Sequence, residues 1–246
     1  MIGIISAMQE EMQTLIENLQ ESTTSVKGMR TYYTGKLFNK EVVLVFSRWG
    51  KVASATTATQ LINDYEIDEI LFTGVAGSIS KDLNIGDVVL GKHLYQHDMD
   101  ASPLYQKFEV PLLGKTYFET SATHREVLYK ATQTFISLYN EKIDSTKAKS
   151  FDIHYPKVIV SDIASGDQFI SKDHIANNLN LELPTVTCVE MEGAAVAQVC
   201  FEYTIPFSII RIISDKANDN AHIDFPKFAK EIASLYALEI LKNYFS

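Results

Sequence analysis

Short runs of Ile, Val, Leu and Phe alternate along the chain with segments of helical character, and this alternation is what most narrows the fold. "IGIIS" precedes "MQEEMQTLIENL", "EVVLVFS" precedes "KVASATTATQLINDY", and "TVTCVE" precedes "MEGAAVAQVCFEY"; "EILFTG", "GDVVLG", "KVIVSD" and "FSIIRIIS" add further strands, the last before a helix expected from about Pro226 to Tyr244. Strands that are apolar throughout, unlike strands that alternate, are buried on both faces, as in parallel sheets with helices on either side. The segment "RTYYTGKLFNKEVVLVFS" does alternate, around the turn-like "FNK", and reads as an antiparallel hairpin on the same sheet. The expectation is an α/β fold of three layers with a central mixed, twisted sheet flanked by helices. No linker, repeat or low-complexity tract divides it, so residues 1–246 read as one domain. The least regular part, about Tyr95 to Ser121, is rich in aromatics and suits contact with a ligand or a second subunit.

The formal charge of −9, from 31 acidic and 22 basic residues, disfavours a surface that neutralises phosphates, so no nucleic acid is expected as a partner. No run approaches the roughly 20 apolar residues of a membrane span, and the opening "MIGIISAMQEEM" lacks a basic start and a cleavage site. A cytoplasmic protein with no membrane association is expected. Cys188 and Cys200 form no C-x-x-C pair and read as reduced, buried thiols.

In α/β sheets ligands sit beyond the carboxyl ends of strands, so the residues after each strand are the candidates for chemistry. Glu10 and Glu11 open a helix after the first strand. Acids there can simply oppose the helix dipole, or present a carboxylate to a site. "GVAGSIS", Gly74 to Ser80, reads as a glycine turn that lets backbone N–H groups approach a ligand, and it matches no dinucleotide or P-loop fingerprint. Phe169, after the turn at Gly166 and Asp167, is either a core anchor or a platform for a planar ring. Glu190 and Glu192 interrupt an apolar run, and Asp215 follows the strand "RIIS", where a helix N-cap is the alternative role. His93 and His97 fall in an irregular segment and the other histidines are scattered, so no metal is expected. No nucleophile with its base is apparent. Carboxylates at several strand ends, with a glycine turn and a stacking aromatic, suit acid/base cleavage of a small ring-bearing molecule.

Taken in order, "GIISAMQEEM", "SRWGKVASA", "FTGVAGSI", "ASGDQFI", "VEMEGAAVA" and "RIISDKAN" resemble the 5′-methylthioadenosine/S-adenosylhomocysteine nucleosidases of the nucleoside phosphorylase superfamily. The resemblance runs from Gly3 to about Phe228. It implies hydrolysis of an N-glycosidic bond to release adenine, in methionine salvage, by a cofactor-free homodimer. It also assigns roles. Asp215 matches the acid that protonates the leaving adenine at N7, and Glu11 the general base that activates water. Glu192, with the backbone around Met191, matches the residues that hold the ribose hydroxyls. Phe169 would stack on adenine while the Ile170 main chain bonds its edge; Ala76 and Gly77 would line the base and ribose side, and Phe225 the alkylthio end. Glu190 is expected to be structural, paired with a base such as Arg211.

Two residues depart from the family pattern. Val75 stands where many members have Ser, which removes a hydroxyl, and Trp49 replaces a smaller aliphatic residue. Three other readings stay open. A phosphorolytic enzyme of the same fold would need cations for phosphate, with Arg48 and Arg211 as candidates. A hydrolase of futalosine-type nucleosides would keep the base and ribose contacts and change the 5′ end. An inactive nucleoside-binding protein is the reading from another class.

Overall fold

The computed structural model describes residues 1–217 and 225–246. The N-terminal part holds β1 (Ile2–Ser6), α1 (Gln9–Glu17), β2 (Gln20–Lys27), β3 (Arg30–Leu37), β4 (Lys40–Phe46), α2 (Lys51–Asp64) and β5 (Glu69–Ser78). It continues through β6 (Val88–Gln96), β7 (Phe118–Glu119), α3 (Ala122–Ser137), α4 (Tyr139–Lys142), α5 (Ser145–Ser150) and β8 (Val158–Ser165). The last part holds α6 (Asp173–Glu182), β9 (Val186–Glu190), α7 (Gly193–Tyr203), β10 (Phe207–Asp215), α8 (Phe225–Phe228) and α9 (Ser234–Tyr244).

The strands form one mixed sheet in the order β10-β6-β8-β9-β5-β1-β4-β3-β2, with β7 on β6. Side chains alternate across it and so build two cores. Ile4, Leu44, Leu71, Leu90 and Ile212 share one core with Met12 of α1, Phe135 of α3 and Tyr236 and Ile240 of α9. Ile5, Val43, Phe72, Val89 and Ile213 share the other with Ala58 and Leu61 of α2 and Ala194 and Val196 of α7. This is the expected helix–sheet–helix sandwich, and each Ile, Leu, Val, Phe or Met side chain so buried contributes about 1.5–3 kcal/mol. The β3–β4 hairpin also forms, with Leu37 opposite Lys40. Phe38 and Asn39 between them have φ of 50° and 64°, the positive pair of a type I′ turn.

Four features differ from the sequence reading. First, β5 pairs with β9 on one edge and with β10 as well as β1, so β5, β9, β8, β6 and β10 close into a ring. Second, "GVAGS" is no turn: β5 runs through Gly74–Ser78. Its glycines are there because side chains from elsewhere occupy the space a Cβ would need. At Gly74 a Cβ would lie 2.9 Å from Glu11 Oε1 and 3.3 Å from Arg211 Nη1, and at Gly77 it would lie 2.8 Å from Asp215 Oδ1. Third, the C-terminal helix carries a π-helical segment, Ala229–Ala233, between α8 and α9. Fourth, the polar, exposed strand β2 was not expected at all.

Beneath the carboxyl ends of β9 and β10 lies an ion pair. Arg211 Nη2 donates to Glu190 Oε2 at 2.6 Å, with side chains 1% and 2% exposed, and the guanidinium sits 4.2 Å from the Phe72 ring centroid. Glu190 also accepts from the Gly193 N–H at 2.8 Å, the Glu192 N–H at 3.2 Å and the Ser165 hydroxyl. It therefore holds the first amide of α7, and its pairing with Arg211 is the structural role expected for it. Both cysteines are buried and free. Removing one member of a buried pair leaves the other uncompensated, so Arg211→Met should lower unfolding free energy by about 3–5 kcal/mol in urea denaturation. A loss under about 1 kcal/mol would show that the pair does not carry this part of the fold.

Candidate active site

A cavity of about 580 Å³, counting its open mouth, lies beyond the carboxyl ends of β1, β8, β9 and β10 and beside the second half of β5. Glu11, Ala76, Gly77, Phe169, Ile170, Met191, Glu192, Phe225 and Asp215 all line it. These residues come from six separate stretches of chain. None of the cavity-lining residues among those described is Lys or Arg.

Three carboxylates face the cavity, and their bonding differs. Glu11, on the first turn of α1, is 3% exposed. Its Oε2 accepts from the N–H groups of Ala7 and Met8, both at 3.0 Å, and its Oε1 from the N–H of Val75, also 3.0 Å. Burial pushes its pKa up to about 6 even though Arg211 and the three N–H bonds pull the other way. The result is a carboxylate that is mostly ionised at neutral pH yet more basic than an ordinary glutamate. By contrast, its neighbour Glu10 is exposed; the helix-dipole role suits Glu10, whereas Glu11 turns inward.

Asp215 ends β10 at an irregularity in the pairing with β5, where Ile213 is followed in register by Asp215. It is a strand-end acid, and the two described residues after it, Lys216 and Ala217, are not helical. Its Oδ1 accepts from the Ala217 N–H at 2.7 Å and its Oδ2 from the Ser214 hydroxyl at 2.8 Å. Burial raises its pKa against these two bonds.

Glu192 is 5% exposed, and among the described residues its carboxylate has a single hydrogen-bond partner, the Gly50 N–H at 2.9 Å from Oε1. Burial first, and the nearby Glu190 charge second, push its pKa up to about 8. A buried carboxylate with unfilled acceptor positions on a cavity wall is suited to a ligand that brings hydroxyl donors.

The mouth is aromatic. Phe169, 46% exposed, stands edge-on to Phe225 at 6.4 Å, and Trp49 stands edge-on to Phe225 at 6.2 Å. Phe169 is thus no core anchor. Ile170 lines the cavity while its side chain joins the core cluster of Ala176 and Leu179 under α6.

Comparison with known proteins fits this geometry. The phosphorylase superfamily profile matches residues 1–246. A 5′-methylthioadenosine/S-adenosylhomocysteine nucleosidase of Staphylococcus carnosus is 33% identical over 99% of this chain and 100% of its own. The chain belongs to the 5′-methylthioadenosine/S-adenosylhomocysteine nucleosidase family. The Neisseria meningitidis nucleosidase in complex with methylthio-immucillin-A superposes with a TM-score of 0.85 at 31% identity, covering 98% of both chains. Futalosine hydrolase of Helicobacter pylori superposes with a TM-score of 0.83, also at 31% identity, over 99% of this chain and 96% of its own.

Within that family pattern, Val75 loses the Ser hydroxyl but supplies its N–H to Glu11, so the main chain keeps a polar contact there. Trp49 lines the cavity, half-exposed at its mouth. The sequence did not single out Ser214, Gln168, Ala7, Met8 or Gly50. Gly50 had a signal, a glycine just before a helix, and its φ of 94° confirms a backbone suited to glycine.

The protonation of Glu192 has a measurable consequence. Its folded pKa lies above the ordinary glutamate value, so its contribution favours the folded state fully below about pH 4.5 and is lost as pH rises through about 8. Glu192→Gln keeps an acceptor for Gly50 and removes that loss. Thermal unfolding of the ligand-free proteins should show a Tm advantage for the variant that grows between pH 5 and pH 9; a difference independent of pH would contradict the raised value.

Proposed function

We propose that this protein hydrolyses the N-glycosidic bond of 5′-methylthioadenosine and S-adenosylhomocysteine, releasing adenine. The observation that carries the reading is how the anion-binding groups of the site are already used. The N–H groups of Ala7, Met8 and Val75 are held by the Glu11 carboxylate, and Arg211 is held by Glu190. A phosphate would find the Ala7, Met8 and Val75 amides already taken and no Lys or Arg among the described cavity residues, whereas a water beside Glu11 finds a base. Arg48 turns its guanidinium to the Met29 carbonyl instead.

The roles follow from this chemistry. Adenine stacks on Phe169 at the mouth, and Asp215, whose pKa burial raises, gives a proton to N7 as the bond from N9 to C1′ breaks. The ribosyl group develops oxocarbenium charge, which the anionic wall of the site stabilises. Glu11 has acceptor capacity left on Oε1; it takes a proton from water as the oxygen bonds to C1′. Glu192 accepts from the ribose hydroxyls alongside its bond from the Gly50 N–H. Ala76 and Gly77 give a smooth wall where Asp215 approaches, with Met191 on the ribose side and Phe225 with Trp49 toward the 5′ substituent. That aromatic lip, together with the likeness to a futalosine hydrolase, supports a second reading in which bulkier 5′ groups are accepted.

We further propose a cytoplasmic homodimer acting in methionine salvage. No described helix is long and apolar enough to cross a membrane. Leu104, Leu112 and Tyr117, from the irregular segment, are exposed apolar side chains that a second subunit would cover.

Purified protein incubated with methylthioadenosine, S-adenosylhomocysteine, inosine and futalosine, with and without phosphate, should release adenine from the first two at rates independent of phosphate. Strict phosphate dependence would overturn hydrolysis, and no base release from any nucleoside would favour a binding protein. Asp215→Asn and Glu11→Gln should each lose at least about a hundredfold in kcat with the fold intact, and near-normal rates in either would remove that residue from catalysis. Because Glu11 must be ionised, kcat/KM should fall as pH drops below about 6; an acid limb at the ordinary glutamate value would contradict its role.

A further inference from the structure

Two walls of the cavity, far apart in sequence, are joined by a closed circuit of polar contacts outside it. At the start of α2, consecutive amides hold two carboxylates: the Gly50 N–H donates to Glu192 at 2.9 Å and the Lys51 N–H to Asp167 Oδ1 at 2.7 Å. The Asp167 N–H donates to Asp98 Oδ2 at 2.9 Å, and Asp98 Oδ1 pairs with Lys51 Nζ at 2.6 Å. That returns the circuit to Lys51. The pair is shielded, with side chains 16% and 19% exposed, and Lys51 Nζ also reaches Gln96 Oε1 at 3.3 Å. Burial alone would raise the Asp98 pKa, but its bonds to Lys51 and the Asp167 N–H hold it below the usual value.

The backbone on both sides is fitted to these contacts. A Cβ on Gly50 would lie 2.9 Å from Asp167 Oδ1, and one on Gly166 would lie 2.3 Å from Nε2 of the buried His97. Asp167 leads directly into Gln168, Phe169 and Ile170, the wall at which the base is read; Gly50 donates to Glu192, where the ribose is read.

We propose that Lys51, Asp98 and Asp167 are positioning residues that lock the Phe169 wall to the Gly50–Glu192 contact, so that the base end and the ribose end of the site are set as one unit. They touch no reacting atom. The inference rests on the reading that Phe169 stacks on adenine, and it adds that the stacking platform is held by an ion pair outside the cavity.

The test measures adenine binding by calorimetry, which needs no turnover, beside KM and kcat for methylthioadenosine. Asp98→Ala should weaken adenine binding and raise KM by about tenfold, and Asp98→Asn, which keeps an acceptor for the Asp167 N–H, should recover part of that loss. In a Phe169→Ala background the Asp98→Ala change should fall to about twofold or less, because the platform it positions is gone. Lys51→Met gives a second route to the same break, and Tm values identify any variant whose loss reflects unfolding. Adenine affinity within about twofold of wild type in the Asp98→Ala, Asp98→Asn and Lys51→Met variants, or equal losses with and without Phe169, would overturn the positioning role while leaving hydrolysis intact. Wild-type protein that neither binds adenine nor releases it would overturn the functional reading and this inference together.

Discussion

The ion pair between Arg211 and Glu190 is the contact on which the site depends, because each partner orders a different part of it. Glu190 takes the N–H groups of Glu192 and Gly193 and so fixes where α7 begins, which places Glu192 on the cavity wall. Arg211 lies beside Glu11 under Gly74 and offsets part of the penalty of burying that carboxylate. Both effects require the pair to be dry and well bonded, since charge interactions weaken quickly where water enters. A buried pair of this kind adds little net stability compared with apolar packing. Its value here is the orientation it gives to the groups around it.

Three of the buried glutamates, Glu11, Glu190 and Glu192, differ in how many donors each has. Glu190 is saturated and structural. Glu11 has three backbone donors and a pKa of about 6, the condition of a base at neutral pH. Glu192 has one donor among the described residues, and burial with the nearby Glu190 charge lifts its pKa to about 8. Keeping such a group buried costs stability, a cost that active sites commonly carry in exchange for function. Outside the cavity, the Lys51–Asp98–Asp167 circuit joins the segment that leads into Phe169 to the Gly50–Glu192 contact.

Much of this was legible in the sequence, and the exceptions have physical causes. Strands buried on both faces stand out as continuous apolar runs, and the acids at their ends stand out against those runs. Strand β2, "QESTTSVK", lies exposed at the sheet's edge and carries no such signal. The closure of β5 onto both β9 and β10 depends on pairings between residues more than a hundred positions apart, which no local pattern encodes. The glycines of "GVAGS" look like a turn because a turn is the commonest local reason for glycine. The actual reason is the approach of Glu11 and Asp215 from elsewhere in the chain. In the same way the partners of Glu192 and Asp167 on α2 are visible only once the chain is folded.

The central claim is that Glu11, held by the Ala7, Met8 and Val75 amides in a cavity whose described lining has no Lys or Arg, activates water as the nucleophile. Cleavage of methylthioadenosine in water enriched in oxygen-18, with phosphate present, tests it most directly. The account predicts one labelled oxygen at C1′ of the released sugar and no sugar phosphate. A phosphorylated sugar without label at C1′ would contradict it.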